Sequence, residues 1–494
     1  MSTLIPPAAN SDLGWQIEHT YAQLPATLFA ASRPVPVRDP HVSILNHRLA
    51  ERLGLNLAGA TPETLATLFA GNQLPSNFQP IAQAYAGHQF GGFTMLGDGR
   101  AILLCEHRTP AGDLVDIQLK GAGRTKFSRG GDGRAALGPM LREYVISEAM
   151  VALGIPTTQS LAVVTTGEPV YRQLVRKGAI LVRVAASHIR VGTFQYVAAT
   201  RDQASLQLLA DYAIQRHYPE IANTPDKYRE FLRAVIDRQA SLIAKWQAVG
   251  FIHGVMNTDN MAISGETIDY GPCAFMNSYD PGTVFSSIDH AGRYAYGNQP
   301  QIAIWNLARF AETLLPLFAT DSDQAIAIAT EILRESPAVF ERHWLAAMRR
   351  KLGLQTQEAD DLELLQSLLD WMQQTGADYT NTWRDLSMGV MPTGENYSEP
   401  AFAELYAQWQ ERLSRETEPR AAIYAAMQSV NPAYIPRNHR VEEALTAAEE
   451  SDDLLPLQRL LEVLQHPFDE VAASAPYREP PPESECNYQT FCGT

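Results

Sequence analysis

The spacing of apolar positions changes period at well-marked points along the chain. Val115, Ile117 and Leu119 alternate with Asp116, Gln118 and Lys120, which predicts a half-buried strand ending on Lys120. Ile180 and Val182 alternate with Leu181 and Arg183, predicting a second strand from which Arg183 is a candidate to face a site. Between these strands, Leu141, Val145, Ala149 and Ala152 recur at helical spacing. Pro139 suits the first helical position, and Gly154 followed by Pro156 ends the helix. Leu232, Val235, Ile236, Gln239, Leu242, Ile243 and Trp246 mark a long buried helix that stops at Gly250. From about residue 298 to 465 the pattern is mostly helical, as in the stripe Ile304, Leu307, Ala308, Ala311, Leu314 and Leu315. The stretch from Ala475 is rich in Pro and Glu, offers nothing to bury and is expected to be flexible. The fold class is therefore α+β, with strands and glycines concentrated before about residue 263 and helices after it.

Composition narrows the function. The chain has 494 residues, 45% hydrophobic, with a formal net charge of −16. Such a balance argues against a nucleic-acid partner, which calls for a basic face, but leaves room for a local phosphate pocket. No segment approaches the roughly 18 apolar residues of a membrane helix. The N-terminus lacks the basic-then-apolar pattern of a secretory signal. A cytoplasmic protein with no membrane partner is expected. The four cysteines, Cys105, Cys273, Cys486 and Cys492, fit neither a disulfide framework nor a zinc motif. Cys105 lies in an apolar run and reads as a buried small hydrophobe.

Against that acidic background, positive charge and glycine gather in one region. Gly91–Arg100 reads GGFTMLGDGR ahead of the apolar run Ala101–Cys105. Glycines between strands let backbone N–H groups approach phosphates, and Arg100 adds a fork of donors. Taken alone, the stretch is equally a Gly-Asp-Gly hairpin. Directly after Lys120 comes GAGRTKFSRGGDGR, with four basic residues and five glycines in fourteen positions. It is not a Walker A loop, since no Gly-Lys-Ser/Thr is present. Glu143, one turn into the predicted helix, is the candidate to hold Lys120 by an ion pair, as a helix glutamate does in kinases. Arg183 and Arg190 are candidate phosphate clamps, because planar guanidinium forks bind phosphate bidentately.

The most informative segment is His253-Gly-Val-Met-Asn-Thr-Asp-Asn260, followed by Asp269-Tyr270-Gly271. His253 and Asn260 have the spacing of the kinase loop H-R-D-L-x-x-x-N, and Asp-Tyr-Gly takes the place of D-F-G. Asn260 and Asp269 would then hold a divalent metal on the phosphates. Val255 stands where the kinase base aspartate should be, and valine accepts no proton. Asp259 is the only carboxylate within that loop.

At these motifs the chain closely resembles the selenoprotein O family, the pseudokinase-like protein adenylyltransferases. The carrying segments are GDGR at 97–100, IQLKGAGRTKFSRGGDGRAALGPMLREYVISEAM at 117–150 and HGVMNTDNMAISGETIDYGPCAFM at 253–276. The resemblance implies a protein-kinase-like two-lobed fold with an N-terminal extension and a helical C-terminal region. It implies an extension over 1–85, an N-lobe-like nucleotide-binding region over 86–178, a C-lobe-like catalytic and helical region over 179–470, and a flexible tail over 471–494 carrying Cys492. It further implies ATP bound in reversed orientation, with AMP transferred to Ser, Thr or Tyr hydroxyls of proteins. Gly97, Gly99, Arg100, Lys120, Asp132, Gly133, Arg183 and Arg190 would be the nucleotide contacts, with Glu143 pairing Lys120. Asn260 and Asp269 would hold Mg2+ or Mn2+, and Asp259 would accept the proton. Transfer from UTP is a related activity the resemblance leaves open.

Eukaryotic members of the resembled family end with a Cys-x-x-selenocysteine pattern, and this C-terminus departs from it, because the position three before Cys492 is Gln489. A bridge between Cys492 and Cys273 would tie the tail over the site, and two free thiols in a reducing compartment are the other reading. Two competing functions are a γ-phosphoryl transferase, which Val255 weighs against, and a non-catalytic nucleotide-binding scaffold, which the joint retention of Lys120, Glu143, Asn260 and Asp269 weighs against.

Overall fold

Alternating apolar residues on consecutive segments build one large antiparallel sheet before residue 186. The computed structural model describes residues 13–482 and 488–490. The sheet's main strands are β1 (Phe29–Ala31), β2 (His41–Leu45), β3 (Ile81–Gln83), β4 (Ala101–Arg108), β5 (Leu114–Lys120), β6 (Gln159–Tyr171) and β7 (Val175–Ala185). Their spatial order is β1-β3-β4-β5-β7-β6-β2. Two-residue strands at Ile17–Glu18 and Ala135–Ala136 add to β4 and β7.

Both faces of this sheet are covered. Ile117 and Leu119 of β5 and Ile180 and Val182 of β7 point to a core shared with Leu49, Leu68 and Phe69 from the N-terminal segment. Leu181 and Val163 point the other way, to the helix α1 (Leu137–Ala152) through Leu141, Val145 and Ala149. The strand expected to be half-buried is therefore buried on both sides over most of its length. Its polar face, Asp116, Gln118 and Lys120, lies inside the molecule. A period-2 pattern reports which residues share a face, not whether that face meets water. Buried polar residues need partners there, and the partners define two charge clusters.

α1 starts at Leu137, two residues before the predicted Pro139. The first turn's N–H groups have no intrahelical acceptor, so proline fits there as well as at the first position. Beyond β7 the chain is mainly helical, with one short antiparallel pair, Phe251–Ile252 and Ala274–Phe275, flanking the loop of the site. Central elements are α2 (Lys227–Ala248), α3 (Gln299–Phe318) and α4 (Ser322–Lys351). Gly250, at φ +73°, ends the α2 region as its position predicted. A separate aromatic core around Trp371, Trp383, Phe402 and Trp409 organises the helices between Asp361 and Gln428, while the last two, Asn438–Ser451 and Leu455–Leu464, join the core of α1.

The described part of the C-terminal stretch is docked, unlike the flexible tail expected from its composition. Residues 472–477 form a 3-10 turn, and Arg478 pairs with Glu470 at 2.7 Å and with Asp385. Tyr488 donates to Glu442 at 2.7 Å. Thr490 donates through its N–H to Phe285 O at 2.8 Å and through its hydroxyl to Pro272 O at 2.7 Å. Specific ion pairs anchor this segment where apolar burial is scarce, which composition does not reveal. No helix among the described residues is long and apolar enough to cross a membrane.

Candidate active site

Strand β5 ends on Lys120, and its ammonium meets Glu143 of α1 at 2.6 Å. The same ammonium meets Asp269 at 2.8 Å. From the neighbouring β7, Arg183 reaches Glu143 at 2.8 Å and Asp269 at 2.7 Å. Arg190, which follows β7, donates to Asp269 at 3.2 Å and to the Asp259 carbonyl at 2.9 Å. One carboxylate thus gathers three cations from three places in the sequence. Burial raises the Asp269 carboxyl, but Lys120, Arg183 and Arg190 outweigh it and hold Asp269 well below the usual carboxylate range. Asp269 also has φ +64°, a left-handed conformation for a non-glycine residue, which is a mark of a functionally constrained backbone.

The loop between α2 and Asp269 is fixed from within. His253 is fully buried, stacks on Trp246 at 5.3 Å and bonds through Nε2 to the Ile268 carbonyl at 2.9 Å. Asn260 donates to the Val255 carbonyl at 3.0 Å, which fixes its amide plane. Asp259, 6% exposed, sits on a single 3-10 turn, Thr258–Asn260. Its Oδ1 is buried and has no hydrogen-bond partner among the described residues. Burial lifts its carboxyl to about 6, against the opposing pull of Arg190. A buried, unpartnered carboxylate oxygen beside a cation cluster is suited to receive a proton from a bound group.

Nearly the whole chain is similar to known proteins. A family model described as protein adenylyltransferase SelO matches residues 13–465. Among curated relatives, a protein nucleotidyltransferase YdiU of Nitrosococcus oceani is 57% identical over 485 residues, covering 98% of each chain. Proteins of the same description from Syntrophotalea carbinolica and Brevibacillus brevis are 56% and 57% identical over 481 residues, covering 97% of this chain and 98% of theirs. The chain belongs to the SelO protein adenylyltransferase family.

The SelO fold brings Lys120, Glu143, Arg183, Arg190 and Asp269 together directly, with Asp259 attached through its carbonyl. Gly97 and Gly99 lie against the basic loop. A Cβ at Gly97 would stand 2.4 Å from the Phe127 ring, and one at Gly99 would stand 3.0 Å from the Phe127 carbonyl. Thr125 donates to the Asp98 carbonyl at 2.5 Å, so the two segments fold onto one another. Arg100 is half-buried, while Arg124, Lys126 and Arg129 are exposed. Asp132 is engaged elsewhere: Arg172, at the turn between β6 and β7, grips it bidentately at 2.8 and 3.0 Å. Gly133 closes the loop base, where a Cβ would stand 2.1 Å from the Gly123 carbonyl. The Gly91–Gly92 pair is an exposed hairpin tip between Ala86–Gln89 and Gly92–Met95, so it is the later Gly-Asp-Gly that adjoins the basic loop.

Cys105 is buried, as expected, and so is Cys273, whose thiol burial pushes up to about 12. Cys486 and Cys492 lie outside the described residues. Several site neighbours carried no sequence signal. Tyr85 supplies a ring 4.5 Å under the Arg190 guanidinium. Asp98 lies 3.9 Å from Arg190, and burial raises it to about 6. Gly87 lies so close to Asp259 that a Cβ there would stand 2.1 Å from Oδ1. Only Asp98, inside Gly-Asp-Gly, could have been singled out from the sequence.

Proposed function

We propose that this protein transfers AMP from ATP to Ser, Thr or Tyr hydroxyls of acceptor proteins and releases pyrophosphate, on a kinase-like two-lobed fold. The observation that carries this reading is the pairing of a three-cation cluster with the buried Asp259 carboxylate, whose Oδ1 has no hydrogen-bond partner among the described residues, in a loop where valine replaces the kinase base. The acceptor oxygen attacks the α-phosphorus, and the bond from that phosphorus to the bridging oxygen breaks. Asp259 takes the hydroxyl proton, and pyrophosphate carries away the electron pair. Arg183, Arg190 and Lys120 face the phosphates and stabilise charge on the leaving group. Glu143 keeps Lys120 and Arg183 oriented. The exposed cations of the loop after Lys120, with Arg100, surround the rest of the nucleotide.

Asn260 and Asp269 offer hard oxygen donors suited to Mg2+ or Mn2+, and phosphate and water would complete the coordination. When bound, such an ion neutralises phosphate charge. Asp269 is occupied by three cations in the described structure, and ATP supplies alternative anionic partners for them.

A paired assay tests the reading. Purified protein is incubated with a cell extract, divalent metal and ATP labelled at either the α- or the γ-phosphate. Label on protein from α-labelled ATP alone is expected. Label from γ-labelled ATP alone would identify a phosphoryl transferase instead.

A further inference from the structure

Immediately before the glycine-rich turn, the chain forms a hairpin arm, Ala86–Gln89 paired with Gly92–Met95. It stands apart from the main sheet and is held by the catalytic loop. His88 N–H donates to Thr258 Oγ1 at 2.7 Å, and Phe90 N–H donates to Asn257 Oδ1 at 3.1 Å. Gly87 at its base abuts Asp259 Oδ1, as described above. The outer part is apolar and open: Phe90, Phe93 and Met95 are 40%, 48% and 44% exposed. Ile288, 49% exposed, lies across a cavity of about 590 Å³ that Phe90, His290 and Arg293 also line. Four large apolar side chains in water beside a reaction centre is an arrangement that marks recognition surfaces.

The charge beside them is positive. Arg293 lies over the Trp305 ring at 4.9 Å and the Tyr294 ring at 5.7 Å. A Cβ at Gly91 would stand 4.0 Å from its guanidinium. Arg293 forms no ion pair among the described residues, and its Nε is buried without a partner. The nearby Asp289, which also lines the cavity, spends its carboxylate oxygens on the backbone N–H groups of Arg293 and Tyr294 at 2.9 and 2.7 Å and makes no ion pair with the guanidinium, so the Arg293 side chain keeps its donors for a ligand. In a chain of net charge −16, this is a local exception placed next to the hairpin tip.

We propose that the hairpin Ala86–Met95, together with Arg293, is the docking surface for the acceptor protein, and that it takes a segment carrying apolar and acidic side chains beside its hydroxyl. The inference rests on the nucleotidyl-transfer reading above, in which the acceptor hydroxyl reaches the loop that holds this hairpin. An acceptor hydroxyl must then approach Asp259 next to Gly87, at the base of this arm. Phe90 and Phe93 bury apolar side chains of the segment, and Arg293 pairs with its carboxylates, as aromatic and arginine anchors do at protein interfaces.

The test uses the full chain, an extract as acceptor pool and α-labelled ATP. Nucleotide affinity is followed separately with a fluorescent ATP analogue. The double variant F90S/F93S touches no residue of the nucleotide cluster. It is expected to slow protein labelling about tenfold or more with unchanged nucleotide affinity. R293E is expected to do the same and, in addition, to change which competitor works. Two synthetic peptides serve as competitors, with a central serine flanked by Leu and Phe plus either Glu or Lys. The Glu peptide should suppress labelling by the wild-type protein, and the Lys peptide should suppress labelling by R293E. Wild-type labelling rates in F90S/F93S, or equal competition by both peptides, would overturn the surface while leaving nucleotidyl transfer intact. Absence of α-label transfer by the wild-type protein with nucleotide still bound would instead sink the underlying reading.

Discussion

Asp116 and Lys120 stand four residues apart on the same buried face of β5, yet the clusters they anchor differ. Around Asp116, every nitrogen of Arg216 is satisfied. It donates to Asp116 at 2.6 Å, to Tyr212 at 2.7 Å, to the Ala186 carbonyl at 2.7 and 3.0 Å, and to Glu106. His188 adds N–H and Nδ1 contacts to Asp116 at 2.9 and 3.0 Å. Burial raises the Asp116 carboxyl, but Arg216 and His188 outweigh it and bring it to about 2. Around Lys120, by contrast, three cations share Asp269, while Arg190 Nε and Asp259 Oδ1 have no partner. The Asp269 side chain is 24% exposed and that of Asp116 only 2%. Apart from His188 Nε2, which has no partner among the described residues, the polar atoms of Asp116, Arg216 and Glu106 are paired and Asp116 is secluded, which fits a structural role. Shared partners, orphaned atoms and an opening fit a site whose charges await a ligand.

Asp269→Ala and Asp116→Ala separate the two clusters most sharply. Removing Asp269 is expected to reduce AMP transfer by about 10³-fold, since phosphoryl chemistry rests on positioning and electrostatics. It also leaves Lys120, Arg183 and Arg190 facing one another, which lowers thermal stability. ATP should restore much of that stability, because its phosphates replace the lost carboxylate. Removing Asp116 leaves Arg216, whose side chain is 5% exposed, with Glu106 as its remaining carboxylate and is expected to cost about 3–5 kcal/mol, with no special rescue by ATP. Thermal melts of both variants with and without ATP, alongside labelled transfer, check the pair. Equal rescue of both would erase the distinction.

Gly87→Ala probes the orphaned atom itself. Its Cβ would stand 2.1 Å from Asp259 Oδ1, so the carboxylate must move. A displacement of about 1 Å in a reacting group costs on the order of 10²-fold in rate. Transfer should fall by about that factor with ATP affinity kept, measured by labelled transfer and nucleotide titration. Retention of the wild-type rate would count against Asp259 as proton acceptor.

These contrasts also show what the sequence could and could not convey. The order Lys120, Glu143, His253, Asn260, Asp269 was legible because kinase-like chemistry fixes residue types at nearly fixed spacing. Strand and helix periods were legible because burial repeats. The burial of the Asp116–Gln118–Lys120 face was not, since its covering residues come from α1, from Arg183 and from Arg216, a hundred residues further on. Asp132 looked free for a nucleotide because nothing in the sequence announces that Arg172, forty residues later, returns to it. Gly87 matters through a contact with a residue far along the chain, and glycine leaves no pattern of its own.

Lys351 extends the comparison to a buried cation with no carboxylate partner among the described residues. It ends α4, is 3% exposed, and lies over the rings of Trp383 at 4.9 Å and Tyr379 at 5.7 Å. Burial pulls its ammonium down from 10.5 to about 7. Below about 7 the lysine is charged whether folded or unfolded, so the fold bears the full desolvation cost, offset in part by the two rings. As pH rises from about 7 toward 10.5, the folded protein sheds this proton while the unfolded chain keeps it, and stability increases over that window. Lys351→Met preserves the length of the side chain without the charge. It is expected to stabilise the protein by about 1 kcal/mol near pH 6, with the advantage shrinking as pH rises. Urea midpoints of both proteins at pH 6 and pH 9 measure this directly, because the other titrating groups cancel in the difference. A difference that stays constant with pH would show that the rings hold Lys351 charged throughout, making it a saturated cluster after all, with aromatic faces in place of carboxylates.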